Sequence, residues 1–243
     1  MNASQSVFWK AKAPEELYDL KDDPHQIKNL ASQPEQRETL ERLRGAIKNW
    51  MIDICDLGLI PEGEVLERAG RDAPYVFGHD SKRFPVDANY SAADLATRVE
   101  VGDMPKLLAN RVASDSVTRY WTACGLLYRA QEGLQRDEVV KAAGGMTTDP
   151  SAYVRCVANE IAARFGTEAD RTVAIHALLT LANAKETNAF VAMAALNSLL
   201  ECEPTMAEIG DRAKSLPDKV TGLKNRYDSY LPRLLERLGQ IAK

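Results

Sequence analysis

The sequence lacks long apolar runs and an excess of basic charge. No apolar stretch approaches the roughly 20 residues that a membrane-spanning helix needs. Acidic residues (35) outnumber basic ones (31), and the formal net charge is −4, which argues against broad binding to nucleic acids or anionic membranes. We therefore expect no nucleic-acid partner and no membrane partner.

The sequence also lacks a visible secretory signal and closely spaced cysteines. Residues 1–6 contain no basic segment that leads into an apolar stretch, so we expect no signal peptide in this chain. No two cysteines form a CxxC pair, and three of the four fall in apolar helical patterns, which predicts buried reduced thiols. The cellular compartment stays open. The cysteines are Cys55, Cys124, Cys156 and Cys202.

What is present is the composition of a folded globular protein. The chain has 243 residues, enough for one to two domains with a substantial core. Hydrophobic residues make up 45% and charged residues 27%, and the 11 prolines and 14 glycines are too few to indicate wholesale disorder.

The first 62 residues predict two short strands and a helix. Apolar-rich stretches at Val7–Trp9 and Glu16–Leu20 lie on either side of Pro14 and are interpreted as strands. Residues 34–52 carry apolar side chains at three- and four-residue steps, which predicts a helix with one apolar face. That face consists of Leu40, Leu43, Ile47, Trp50 and Met51.

Residues 63–91 predict an irregular connector, because prolines, glycines and polar residues are scattered through them. A single short helix is expected at 62–69. We expect Tyr75, Phe77 and Phe84 to pin the connector.

Residues 92–243 read as almost wholly helical and contain an internal repeat. Copies begin at Asp115, Asp149 and Glu186, so the copies are spaced by 34 and 37 residues. Further helices are expected between the copies, near 138–142, 168–182 and 206–216. The pattern predicts a stack of helix pairs closed by C-terminal capping helices. The aligned core positions are Tyr120, Val154 and Val191, followed four residues later by Cys124, Ala158 and Ala195.

The segment Asp149–Ala158 resembles the helix opening of HEAT repeats, with an acidic residue, a proline, then Val-Arg and a small residue. The resemblance covers about residues 92–216, and it implies a HEAT-like α-solenoid. The other two copies lack the Val-Arg pair, so the predicted array is degenerate.

The segments Glu15–His25 and Asn29–Ala31, followed by the helix at 40–51, resemble the end of the sulfatase fold in the arylsulfatase and heparan N-sulfatase branch. Asp56–Glu62 is similar to the continuation seen in sulfatases that carry a helical extension. In that family the segment is the last strand and closing helix of a small C-terminal subdomain. The resemblance therefore implies a small α+β remnant at 1–62 and a parent activity of sulfuric ester or N-sulfate hydrolysis.

The family's catalytic residues have no counterpart in this sequence. Sulfatases, as the resemblance implies, use a C/S-x-P-S-R motif oxidised to formylglycine, and a calcium ion held by aspartates and an asparagine. None of the four cysteines is followed by that motif. We expect no catalytic, cofactor-binding or metal-binding residue here. Calcium and formylglycine are expected only in a catalytic domain that this sequence does not contain.

Three histidines offer weak candidate sites. His25 lies beside two aspartates and is interpreted as an exposed turn residue, although it could orient a carboxylate. His79 precedes Asp80, but no second histidine stands at ligand spacing. His176 lies in an apolar helix and is interpreted as a core or groove residue rather than a ligand.

Arg119, Tyr120, Trp121 and Arg155 form a possible interaction surface, because they lie near one another in the repeat register. They could face a concave groove, and the alternative is packing between repeats.

Two hypotheses for the whole chain remain open. In the first, it is the non-catalytic C-terminal portion of a sulfatase-like protein, whose helical repeats serve as an accessory or interaction module. Its partner is then a sulfatase catalytic domain or another protein, and an open strand edge could also cause self-association. In the second, it is a free-standing HEAT-repeat scaffold that binds protein or polysaccharide.

Overall fold

The computed structural model is mainly helical and describes residues 2–10, 12–13, 15–98, 101–219 and 230–242. The chain divides into two compact units, Met1–Asp56 and Leu57–Lys243. The prediction of a mainly α-helical chain is confirmed. No helix in the described ranges is both long and apolar enough to cross a membrane.

The first unit contains two helices and no strand in its described residues. Helix α1 covers Ala3–Ser6, and helix α2 covers Arg37–Asp53 after a 3₁₀ turn at Pro34–Gln36. The predicted α+β remnant is therefore wrong: Val7–Trp9 is a 3₁₀ turn, and 16–20 has no regular structure.

A side chain, not a strand ladder, holds the irregular segment of the first unit. Asn29 Oδ1 accepts from the Leu17 N–H at 3.0 Å and from the Ala31 N–H at 3.0 Å. Asn29 Nδ2 donates to the Glu15 carbonyl at 3.0 Å, and the Leu30 N–H donates to the Leu17 carbonyl at 2.7 Å. Because the asparagine amide satisfies these backbone groups locally, no paired strand is required.

The helix predicted at 34–52 is confirmed, but its apolar face is mostly uncovered. Among the side chains that the structure describes in the first unit, Leu40 alone is buried. Ile47 is 54% exposed and Trp50 61% exposed, and Ile54 continues the same face just beyond the helix.

The residues predicted as a connector are largely helical. They contain α3 (Glu62–Ala69), α4 (Pro74–Gly78) and the first part of α5 (Val86–Thr97). Phe77 and Phe84 are fully buried with ring centroids 5.8 Å apart, which fixes this region as part of the core. The prolines that suggested a loop stand at helix starts instead, where the missing N–H costs nothing.

The rest of the second unit is a stack of helices. Helices α5, α7, α9, α11 and α13 pack against one another in succession. Helix α8 packs against α7 and α9, α10 packs against α9 and α11, and α12 packs against α10. The bounds are α6 Met104–Ala109, α7 Ser116–Gln131, α8 Arg136–Gly144, α9 Ala152–Phe165, α10 Glu168–Leu181, α11 Ala189–Cys202, α12 Met206–Ser215 with a kink at Gly210, and α13 Tyr230–Ile241.

The repeat positions lie in the core, as the alignment predicts. Val154, Ala158, Val191 and Ala195 are buried, whereas Tyr120 and Cys124 are half-buried. The small residues allow close packing between successive helices of the stack, because an alanine leaves the neighbouring backbone room to approach. At Gly125 of α7 a Cβ atom would lie 2.9 Å from the Cα of Ala96 on α5, so this helix pair is closer still.

Candidate functional site

Arg119 joins two successive repeat openings. Its guanidinium makes a bidentate ion pair with Asp149, with Nε–Oδ2 at 2.7 Å and Nη2–Oδ1 at 2.9 Å. Its Nη1 donates to the carbonyls of Ala113 and Ser114. Hydrogen bonding to Asp149 raises the pKa of Arg119 further, so the pair stays charged. The side chain is thus used to link the start of α7 to the loop before α9.

Arg155 reaches the same loop. Its Nη1 donates to the carbonyls of Asp149 at 2.6 Å and Pro150 at 3.0 Å. The structure therefore brings the two arginines together around Asp149. Asp149 also caps the turn before α9 by accepting from the Ser151 N–H at 2.8 Å.

The two aromatic members of the predicted surface are also held by contacts within the chain. Trp121 Nε1 donates to the Leu59 carbonyl at 2.7 Å, and its ring meets Tyr120 edge-on at 5.8 Å. The Tyr120 hydroxyl is hydrogen-bonded to Cys124, and the neighbouring thiol together with burial raises its pKa well above the usual range. All four residues are held by hydrogen bonds or ring contacts within the chain, and binding of a partner by them stays a prediction.

A polar cluster that the sequence did not reveal links α3 to α7. Arg68 Nη2 lies 2.6 Å from Glu64 Oε1 and 2.7 Å from Asp115 Oδ1. Ser116 Oγ bonds to both Arg68 and Glu64. The first acidic residue of the repeat, Asp115, therefore holds α3 in place. The i, i+4 spacing of Glu64 and Arg68 on a helix was its only sequence signal.

The histidines and cysteines form no site in the described part of the chain. No group of three His, Cys, Asp or Glu residues there could hold a metal ion. His25 is exposed, as predicted, and His79 is stacked on Tyr75. His176 is exposed, so a core position for it is wrong: it lies across α10 from buried Ala174 and Leu178.

The cysteines are free, and three of the four thiols are strongly desolvated. Burial raises the pKa of Cys124, Cys156 and Cys202 to about 12. They stay protonated near neutral pH and cannot act as thiolate nucleophiles. Cys156 and Cys202 are buried as predicted, whereas Cys55 and Cys124 are half-buried.

Two cavities flank the point where α3 meets α9 and α11. The larger, which we name the α3–α11 cleft, has a volume of about 610 Å³ and includes the polar side chains of Glu67, Lys185, Asn188 and Lys219. The smaller, which we name the Tyr153 cavity, has a volume of about 270 Å³. It is lined by Pro61, Glu62, Gly63, Tyr120, Tyr153, Cys156, Val157, Phe190, Ala194 and Ser198.

Gly63 separates the two cavities together with Phe190, since both residues line each of them. A Cβ atom at Gly63 would lie 2.0 Å from the Tyr153 hydroxyl oxygen and 2.6 Å from the Phe190 Cβ. Only a glycine lets α3 approach this closely. A glycine inside the amphipathic run 62–69 was the sequence signal for this contact, since a helix interior disfavours glycine unless packing requires it.

Comparison with known proteins gives one partial similarity. The chain is 39% identical over 69 residues to an ulvan-active sulfatase from Formosa agariphila. The matched part is 28% of this chain and 12% of that sulfatase. No family model matches the chain, and no solved structure matches it. The similarity links part of the chain to a sulfatase.

Proposed function

We propose that this chain is a non-catalytic portion of a sulfatase-like protein, and that its helices form a HEAT-like accessory or interaction module. The observation that carries the proposal is the 39% identity to a sulfatase over 69 residues. The sequence contains no C/S-x-P-S-R motif, so the proposed parent chemistry must reside in a separate catalytic domain. The substrate class is a sulfate ester or N-sulfate, as the sulfatase resemblance implies.

The uncovered face of α2 supports a role in docking. We name it the α2 apolar face, and it consists of Ile47, Trp50 and Ile54. A helix with one apolar stripe gains stability by burying that stripe against another surface. In our proposal the covering surface is the sulfatase catalytic domain. The proposed HEAT-like arrangement rests on the succession α5, α7, α9, α11 and α13, with α8 packed on α7 and α9, α10 on α9 and α11, and α12 on α10.

The first test concerns activity. The purified chain is assayed with 4-nitrophenyl sulfate, beside an active formylglycine sulfatase as positive control. We expect turnover equal to the blank. Turnover above the blank that survives substitution of all four cysteines would contradict the non-catalytic assignment.

The second test concerns the catalytic domain. The genomic DNA before the first codon is searched for a reading frame with C/S-x-P-S-R, and the encoded domain is produced with this chain. We expect co-purification, and we expect Ile47→Asp/Trp50→Asp to abolish it. Gly45→Asp/Asn49→Asp is the control, because it adds the same charge to the opposite, exposed face of α2. Equal effects of the two double variants, or no such reading frame, would favour the free-standing scaffold.

A further inference from the structure

The Tyr153 cavity has the size of a small-molecule site. Its volume is about 270 Å³. An apolar cavity of about 150 Å³ suffices for benzene. The space between α3, α7, α9 and α11 therefore accommodates an aromatic ring with several additional atoms.

The wall of this cavity is mostly apolar, and one polar group in it is unsatisfied. Pro61, Val157, Ala194 and Phe190 present carbon surface. Tyr153 is only 6% exposed, and its hydroxyl makes no hydrogen bond within the described part of the chain. The Asn188 amide donates to Glu67 Oε1, and it also lies close enough to the phenol oxygen to lower the pKa of Tyr153 against the effect of burial. An amide N–H can serve this oxygen only as a donor, so the phenol O–H still lacks an acceptor. A buried hydroxyl without a partner is unfavourable, so this group favours a ligand that accepts a hydrogen bond.

No basic side chain is among the described residues that line the cavity, so an anionic ligand would have no counter-charge there. Glu62, an exposed residue, is the one charged side chain among the lining residues that the structure describes. Behind Ser198 lies buried Glu160, which accepts from the serine hydroxyl at 2.8 Å. Burial and the carboxylate of Glu67 raise the pKa of Tyr153 above its usual range, so the phenol keeps its proton and remains a donor.

We propose that the Tyr153 cavity binds a small neutral molecule, whose compact apolar body fills the space and whose oxygen accepts a hydrogen bond from the Tyr153 hydroxyl. This goes beyond the proposed sulfatase-related function and does not depend on it. Gly63 keeps the phenol accessible, because a side chain there would occupy the space beside the hydroxyl. Tyr153 is then the specificity-determining residue, since it distinguishes a ligand with an acceptor from a hydrocarbon of the same shape.

The test uses three probes of similar shape on the full chain. Acetophenone has an acceptor oxygen, ethylbenzene lacks one, and benzoate carries a negative charge. Binding is measured from saturable NMR shifts of Val157 and Ala194. We expect acetophenone to bind about five- to tenfold more tightly than ethylbenzene, the usual gain from one buried hydrogen bond. We expect benzoate to bind most weakly.

Two variants identify the group responsible. In Tyr153→Phe the preference for acetophenone over ethylbenzene disappears, whereas Tyr230→Phe, at an exposed position of α13, leaves it unchanged. If Tyr153→Phe fails to fold, Ala194→Leu serves instead, because it fills the cavity and abolishes binding of both neutral probes. The proposal is overturned if millimolar acetophenone gives no saturable shifts at these residues. It is also overturned if the preference survives in Tyr153→Phe, or if Ala194→Leu still binds.

Discussion

Helix α2 of the first unit and helix α9 of the second both carry apolar residues at helical spacing, but α2 has seven charged residues of 17 and α9 has three of 14, and their surroundings are very different. In α9, nine of 14 residues are buried, and helices α7, α8, α10 and α11 all pack against it. In α2, one of 17 residues is buried. The comparison shows that apolar periodicity reports which side chains share a face, and it says nothing about what covers that face.

The two units should therefore differ in stability, and hydrogen exchange gives the largest expected contrast. Amides of Val154–Ile161 lie in buried α9, so they exchange through global unfolding. Amides of 17–20 lie outside regular structure. We expect the latter to exchange about 1000-fold faster or more, since local opening costs far less than global unfolding. Equal rates in a confirmed monomer would mean that the first unit is a complete fold, and the free-standing scaffold would then be the better hypothesis.

The second-largest contrast is the loss of stability when a charge is introduced into α9 or into α2. Ala158 is fully buried, so Ala158→Asp places an unpaired carboxylate in the core and costs about 3–5 kcal/mol of unfolding free energy. Ala46→Asp makes the same change at an exposed position of α2 and should cost less than about 1 kcal/mol. Urea denaturation followed by circular dichroism measures both. Similar midpoints for the two variants would contradict the helical register.

Breaking one ion pair in each unit should give a smaller difference in the loss of unfolding free energy. Asp149→Asn removes the charge opposite Arg119, whose side chain is only 12% exposed, and should cost about 1–3 kcal/mol. Glu41→Gln breaks the exposed pair with Arg37 on α2 and should cost less than about 0.5 kcal/mol. The same denaturation experiment applies. If the Asp149 variant is as stable as the wild type, the repeats are not joined through this carboxylate.

Acid should act in opposite directions on one carboxylate of each unit, Glu160 in the second and Asp23 in the first, and this is the smallest effect. Burial raises the pKa of Glu160 above 4.5, so the folded state binds the proton more tightly than the unfolded state. The contribution of Glu160 to the free energy of unfolding is present below about pH 4.5, and it falls as the pH rises through the pKa of Glu160 in the folded state. Hydrogen bonds from the backbone of Lys28 and Ile27 lower the pKa of Asp23 below 3.8, so its contribution is lost as the pH falls through the folded pKa.

Carboxyl-carbon NMR titration tests these two shifts. We expect the pKa of Glu160 to lie above the ordinary value for a glutamate and that of Asp23 to lie below the ordinary value for an aspartate, with Glu160→Gln and Asp23→Asn assigning the resonances. A Glu160 pKa below 4.5 would mean that Arg164 and Ser198 outweigh burial.

The long helices were predictable because their stabilising contacts repeat at helical spacing. Helices α8, α10 and α12 lie where the segments between the repeat copies predicted them, and α2 follows its apolar stripe. The strands failed because short apolar stretches are ambiguous, and the deciding contact is the Asn29 amide at 12 and 14 residues' separation. No short-range sequence pattern predicts such a hydrogen bond.

The candidate site was less predictable than the fold. The ion pair of Arg119 with Asp149 spans 30 residues, and its partners were recognised only as register positions. The Tyr153 cavity combines Gly63, Tyr153 and Phe190, which no spacing rule connects. The cavity forms because α3 packs against α9 and α11 at Gly63. This contact depends on the tertiary packing and not on any local sequence pattern.

The intrinsic fluorescence of the three tryptophans can distinguish the two units. Trp9 and Trp50 belong to the first unit and are 73% and 61% exposed. Trp121 belongs to the second unit, is half-buried and donates its indole N–H to the Leu59 carbonyl. Collisional quenchers in the solvent will therefore reduce emission from the first unit, while the shielded indole of the second remains bright. If a partner protein covers the first unit, the tryptophan emission of that unit should become less sensitive to the quencher. No attached label is needed to see this.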